Sequence, residues 1–117
     1  MRKLFLLCLL TAVFVVGGCS SSEPKSTLTL DSFIKAYTDA GVTVDPSKKQ
    51  QYQMAEAING VIFYMDNQPI KIYEYRTEKD MKDAVKKDEM LKNWPSNGRF
   101  LLEANYEKAK EIFNSVK

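Results

Sequence analysis

Apolar residues recur along this chain at two spacings, and the switches between them mark its elements. After an uncharged apolar run from Leu4 to Val16 and a polar stretch from Ser20 to Ser26, Phe33, Ala36, Tyr37 and Ala40 fall at helical intervals. Thr29 or Asp31 can cap that helix, and Gly41 stops it, because glycine accepts the positive φ that follows a last turn. Val42-Thr43-Val44 is extended, and Asp45-Pro46 signals a turn or a new helix start. Residues 48–58 carry both signals. Tyr52, Met54 and Glu56 alternate as in a strand, whereas the Gln, Met, Ala and Glu content favours helix; a short helical or irregular segment ending at Asn59-Gly60 is expected. Val61 to Met65 and Ile70 to Tyr75 are β-branched and aromatic runs joined by Asp66-Asn67-Gln68-Pro69, which predicts a hairpin. Thr77 followed by Asp80 reads as an acidic variant of the capping box, and Met81, Ala84 and Val85 give the next helix its apolar stripe. That helix is expected to fray between Asp88 and Lys92. Trp94 to Gly98 is a loop with a turn signal, Arg99 to Glu103 a third strand, and Asn105 a cap for a last helix. There Ala109, Ile112, Phe113 and Val116 fall at i, i+3, i+4 and i+7.

The first apolar run has a different meaning. Arg2 and Lys3 precede 13 uncharged residues, the layout of a secretory leader. A membrane-spanning helix needs about 20 apolar residues, so the run is too short for a permanent span. Val16-Gly17-Gly18-Cys19 follows it and resembles the lipobox read by the lipoprotein signal peptidase. Small residues let the peptidase close on the backbone, and the Cys19 thiol is the group that becomes a diacylglyceryl thioether. Palmitate-sized chains contribute about 0.8 kcal/mol per buried methylene, and two or three of them make a stable anchor. The expected organisation is a leader over residues 1–18, a lipidated cysteine and tether over 19–28, and one small domain over 29–117. The expected location is the extracytoplasmic face of the cell membrane.

Composition then narrows the chemistry. The chain has 117 residues, so removal of the leader leaves 99, enough for one core. Of 17 basic and 15 acidic side chains, Arg2 and Lys3 leave with the leader, and the remainder balances to zero. That balance argues against nucleic-acid binding and against a polybasic membrane patch. There is no histidine, and once Cys19 is acylated no free thiol. Ser-His-Asp and Cys-His catalysis, Cys/His zinc sites and haem ligation by histidine are thereby removed, and no metal or cofactor is expected.

The element order predicts an α+β fold with a three- or four-stranded sheet containing the hairpin, and helices packed mainly on one face. Were Ile70–Tyr75 and Phe100–Glu103 adjacent and parallel, their crossover would be right-handed. The strings Gly60 to Asp66, Ile72 to Tyr75, Asn97 to Leu102 and Ala109 to Phe113 are similar to those of small uncharacterised proteins and lipoproteins of Gram-positive bacteria. The resemblance spans about residues 50–116. It implies a shared α+β fold and brings no established activity, cofactor or site residue.

Few side chains suggest a site. Tyr64, Tyr73 and Tyr75 share the hairpin, with Tyr73 and Tyr75 on one face of their strand. They read either as an aromatic platform for a partner or, more plainly, as sheet packing. Trp94, the sole tryptophan, reads as an exposed anchor or, preferably, as a plug closing one end of the core. Glu74 and Glu103 would serve as an acid/base or metal pair only if they converged, and separate solvated carboxylates are the simpler expectation. The expected function is therefore a lipid-anchored, non-catalytic binding or accessory module of the cell envelope with an envelope protein as partner. A carboxylate-based hydrolase or sugar-modifying enzyme and a small-ligand carrier are the rivals.

Overall fold

The computed structural model describes residues 28–117, so the expected leader, the expected recognition segment Val16–Gly18, Cys19 and nearly all of the expected tether lie outside the described residues. Helix α1 spans Leu30–Asp39. Thr29 caps it reciprocally, since the Ser32 backbone N–H donates to Thr29 Oγ1 at 3.2 Å and the Thr29 N–H to Ser32 Oγ at 3.1 Å. Leu28 and Phe33 occupy the N′ and N4 positions of a hydrophobic staple and are buried in the same core. The sequence reading ended the tether at residue 28; the staple moves Leu28 into the domain. At the other end Gly41 has φ +91°, and the bonds Gly41 N–H to Thr38 C=O and Val42 N–H to Tyr37 C=O complete a Schellman exit.

The ambiguous stretch resolves into a bridge and a turn. Lys49 pairs with Val61 on the sheet's outer edge, and Tyr52–Ala55 forms a 3₁₀ turn. The turn lies so close to the sheet that a Cβ at Gly60 would stand 3.0 Å from the Tyr52 Cβ. Strands β1 (Asn59–Met65) and β2 (Gln68–Glu74) form the hairpin, with Val61 opposite Ile72 and Phe63 opposite Ile70. The connection is two residues, tighter than the four expected. Asp66 (φ 47°) and Asn67 (φ 65°) both take positive φ, as a turn matched to strand twist requires, and this frees Gln68 and Pro69 to pair with Met65 and Tyr64.

Helix α2 (Glu78–Lys87) starts at Thr77, whose hydroxyl accepts from the Asp80 N–H at 3.0 Å. Asp88 ends it and caps a 3₁₀ turn, Glu89–Asn93. A two-residue strand β3 (Ser96–Asn97) then leads to β4 (Phe100–Glu103) and to helix α3 (Glu107–Ser115). Asn105 does not cap α3: Tyr106 is its N-cap residue and makes no side-chain bond to the helix, its hydroxyl donating to Asp66 instead. The sheet order is β1-β2-β4-β3, antiparallel throughout. β2 and β4 are neighbours but not parallel. The crossover through α2 is completed by β3, which runs parallel to β2, and β4 turns back at Gly98 (φ 62°) into the gap between them.

The fold is thus α+β, with a four-stranded sheet and a hairpin. The helices divide between its faces. α1 and α3 cover Val61, Phe63, Ile70, Ile72, Phe100 and Leu102, with Phe33 against Phe100 at 4.6 Å and Phe113 at 4.9 Å. α2 and the two 3₁₀ turns cover Tyr73, Tyr75 and Leu101 on the opposite face.

Candidate functional site

The tyrosines separate once the second face is covered. Tyr73 and Tyr75 project from β2 on one side, as alternation requires, but are only 3 % and 1 % exposed. The Tyr75 hydroxyl donates to the Ala55 carbonyl at 2.6 Å, and burial, with the fields of Glu56 and Asp88 added, pushes its pKa up to about 12. The Tyr73 hydroxyl donates to Glu103 Oε1 at 2.8 Å; burial first, and that carboxylate second, hold it well above the ordinary phenol value. Tyr64, which shares this side of the sheet, is 58 % exposed at the hairpin end opposite Pro69. The three rings therefore form no common platform. α2 and the 3₁₀ turns occupy the space it would have offered.

Trp94 is where the second core reaches the surface. It follows the 3₁₀ turn Glu89–Asn93, is half-buried, and stacks on Tyr73 with ring centroids 5.4 Å apart and planes within 9°. It packs against that core, and it also lines two clefts. One, of about 430 Å³, is polar and mixed in charge, bounded by Trp94, Met90, Lys71, Glu103 and Lys110. Lys71 Nζ approaches Glu103 Oε1 at 3.8 Å there, so this carboxylate serves both a cation and the Tyr73 phenol. The other, of about 330 Å³, has a floor of Met81, Val85, Leu101 and Trp94, with Lys82, Lys86 and Lys92 at its rim.

Glu74 and Glu103 do not converge. Glu74 pairs in register with Phe100 and Glu103 with Lys71, which places the carboxylates on opposite faces. Arg99 holds Glu74 at 2.7 Å, donates to the Tyr75 carbonyl at 2.7 Å, and lies 4.8 Å from the Phe100 ring centroid. Among the described residues no group of three or more His, Cys, Asp or Glu is placed to hold a metal ion, and no helix is long and apolar enough to cross a membrane.

Sequence reasoning found Trp94 but missed its lysine neighbours. Lys82 and Lys86 are one helical turn apart and so share a face, which was a usable signal; Lys92 joins them only through the bend at Asp88. The chain matches no family model, no curated protein and no solved structure.

Proposed function

We propose that this chain is a lipid-anchored, non-catalytic binding module of the cell envelope, held on the extracytoplasmic face through Cys19 and engaging a protein partner through the surface around Trp94. The observation that carries the binding half is the position of Trp94, a half-buried indole that lines two open clefts at once. Indoles so placed supply large contact area at little entropic cost and are enriched where proteins bind one another. The opposed placement of Glu74 and Glu103, each tied to its own cation, supports a binding role over carboxylate catalysis. The anchoring half rests on Val16-Gly17-Gly18-Cys19 behind a charged, apolar leader.

The two halves are tested separately. In cells fed a labelled fatty acid, the wild-type chain should take up label and fractionate with membranes, and Cys19→Ser should do neither. A Cys19→Ser chain that stays labelled and membrane-bound refutes the anchor. A photo-crosslinking side chain at Met90, exposed beside Trp94, should yield one discrete adduct in intact cells, whereas the same probe at Lys35, exposed on α1 against the other face of the sheet, should not. Equal patterns at both positions would refute the Trp94 surface.

A further inference from the structure

Of the four clefts described, three mix charges of both signs: Lys71 with Glu103, Arg76 and Lys87 with Asp80 and Asp83, Lys108 with Asp66. The groove floored by Met81, Val85, Leu101 and Trp94 is different. Lys82, Lys86 and Lys92 surround it and no carboxylate lines it. Lys86 makes no ion pair with any described residue, while Lys82 and Lys92 meet Glu78 at 3.3 Å and Glu89 at 2.7 Å. Both of those pairs are exposed and short-range in sequence, the kind that contributes little and exchanges readily. An apolar floor beneath three available ammonium groups has one electrostatic complement, an apolar group flanked by negative charges.

We propose that this groove binds an acidic peptide segment of a partner protein, with one aliphatic or aromatic side chain seated on the floor beside Trp94 and flanking carboxylates on Lys82, Lys86 and Lys92. The proposal deepens the binding role above and rests on it for its biological setting. The shape favours a peptide over an anionic bilayer: Met81 is 3 % exposed and Leu101 fully buried, so only Val85 and Trp94 of the floor reach the surface, a smaller apolar face than the stripe with which an interfacial helix enters lipid. At about 330 Å³ the groove is at the small end of ligand sites and suits one side chain.

Trp94 is the chain's only tryptophan, so its fluorescence reports both clefts that it lines, and Lys82 and Lys86, which line only this groove, assign a response to it. The lipidated mature chain in neutral detergent micelles is titrated with the peptide acetyl-Glu-Glu-Leu-Glu-Glu-amide. A saturable change in emission is expected, weakened about tenfold in the Lys82→Gln/Lys86→Gln variant and on raising salt from about 50 to about 300 mM. Both lysines are exposed, and circular dichroism confirms that the variant folds. Replacing the peptide's leucine by serine, or its glutamates by lysines, should abolish the response. The inference is overturned if the lysine or serine peptide responds equally, if the double variant responds like wild type, or if only phosphatidylglycerol vesicles perturb Trp94. The fatty-acid labelling of Cys19 is independent of every one of these outcomes, so failure of the anchor and failure of the groove are told apart.

Discussion

The Arg99 guanidinium, in the turn that leads into β4, is shared among three partners. It neutralises Glu74, bonds the Tyr75 carbonyl and lies against Phe100, and both members of the ion pair are less than one-quarter exposed. Removing one partner of such a pair leaves a poorly hydrated charge behind, which costs more than the pair itself contributes. Arg99→Met should therefore destabilise the domain by about 2 kcal/mol in urea unfolding. Adding Glu74→Gln should recover part of that loss, because the stranded carboxylate is then neutral. Asn59 already donates to it at 3.3 Å and can still do so to the amide oxygen. A double variant no more stable than Arg99→Met alone would mean that the guanidinium acts through packing on Phe100, not through charge.

At the scale of elements, the ends of helices separate features that are local from features that are not. The Thr29 hydroxyl accepts the Ser32 N–H at the start of α1, whereas Asn105 makes no capping bond to α3. Thr29→Ala should cost about 1 kcal/mol and Asn105→Ala less than about 0.5 kcal/mol in the same denaturation assay. Equal losses at the two positions would contradict the caps as described. Thr29, Gly41 and Thr77 were legible because each acts on residues within a few positions, and α1 and α2 followed from them; the hairpin was legible from its two flanking runs, though not the two-residue length of its turn, and α3 came from the spacing of Ala109, Ile112, Phe113 and Val116 and not from its expected cap. β3 was not legible: two residues carry no periodicity, and Ser96-Asn97 is a strand only because β4 pairs with it. The direction of β4 was hidden for the same reason. Alternation did place Tyr73 and Tyr75 on one side of β2, but both sides of β2 carry apolar residues, and only the docking of α2 decides that the tyrosines are covered. Of the candidate site, Trp94 was visible as a singular residue; the groove beside it required the bend that brings Lys92 back toward α2.

On the scale of the whole molecule, one sheet is shared by two cores, and each core contains a phenol whose ionisation opposes folding. Tyr37 lies under α3 and donates to the Ala109 carbonyl at 2.7 Å, while Tyr73 and Tyr75 lie under α2. Burial raises all three pKa values above the ordinary 10.0, with Tyr75 reaching about 12. The folded state therefore keeps these protons after the unfolded chain has begun to lose them. Stability is at its full value below pH 10 and falls as pH climbs through the window to 12, by up to about 1.4 kcal/mol per pH unit for each tyrosine. Because Ile72 and Tyr73 are successive residues of β2 facing opposite cores, loss of one core removes the backing of the other. Alkaline unfolding should accordingly be a single transition, with far-UV circular dichroism and tyrosinate absorbance changing together. In Tyr75→Phe the neutral-pH stability should fall by about 1 kcal/mol through loss of the bond to the Ala55 carbonyl, yet the slope of stability against pH above 10 should become shallower, since one titrating group is gone. A steep decline that Tyr75→Phe leaves unaltered would show that repulsion among surface charges, and not the buried phenols, sets the alkaline limit of this fold.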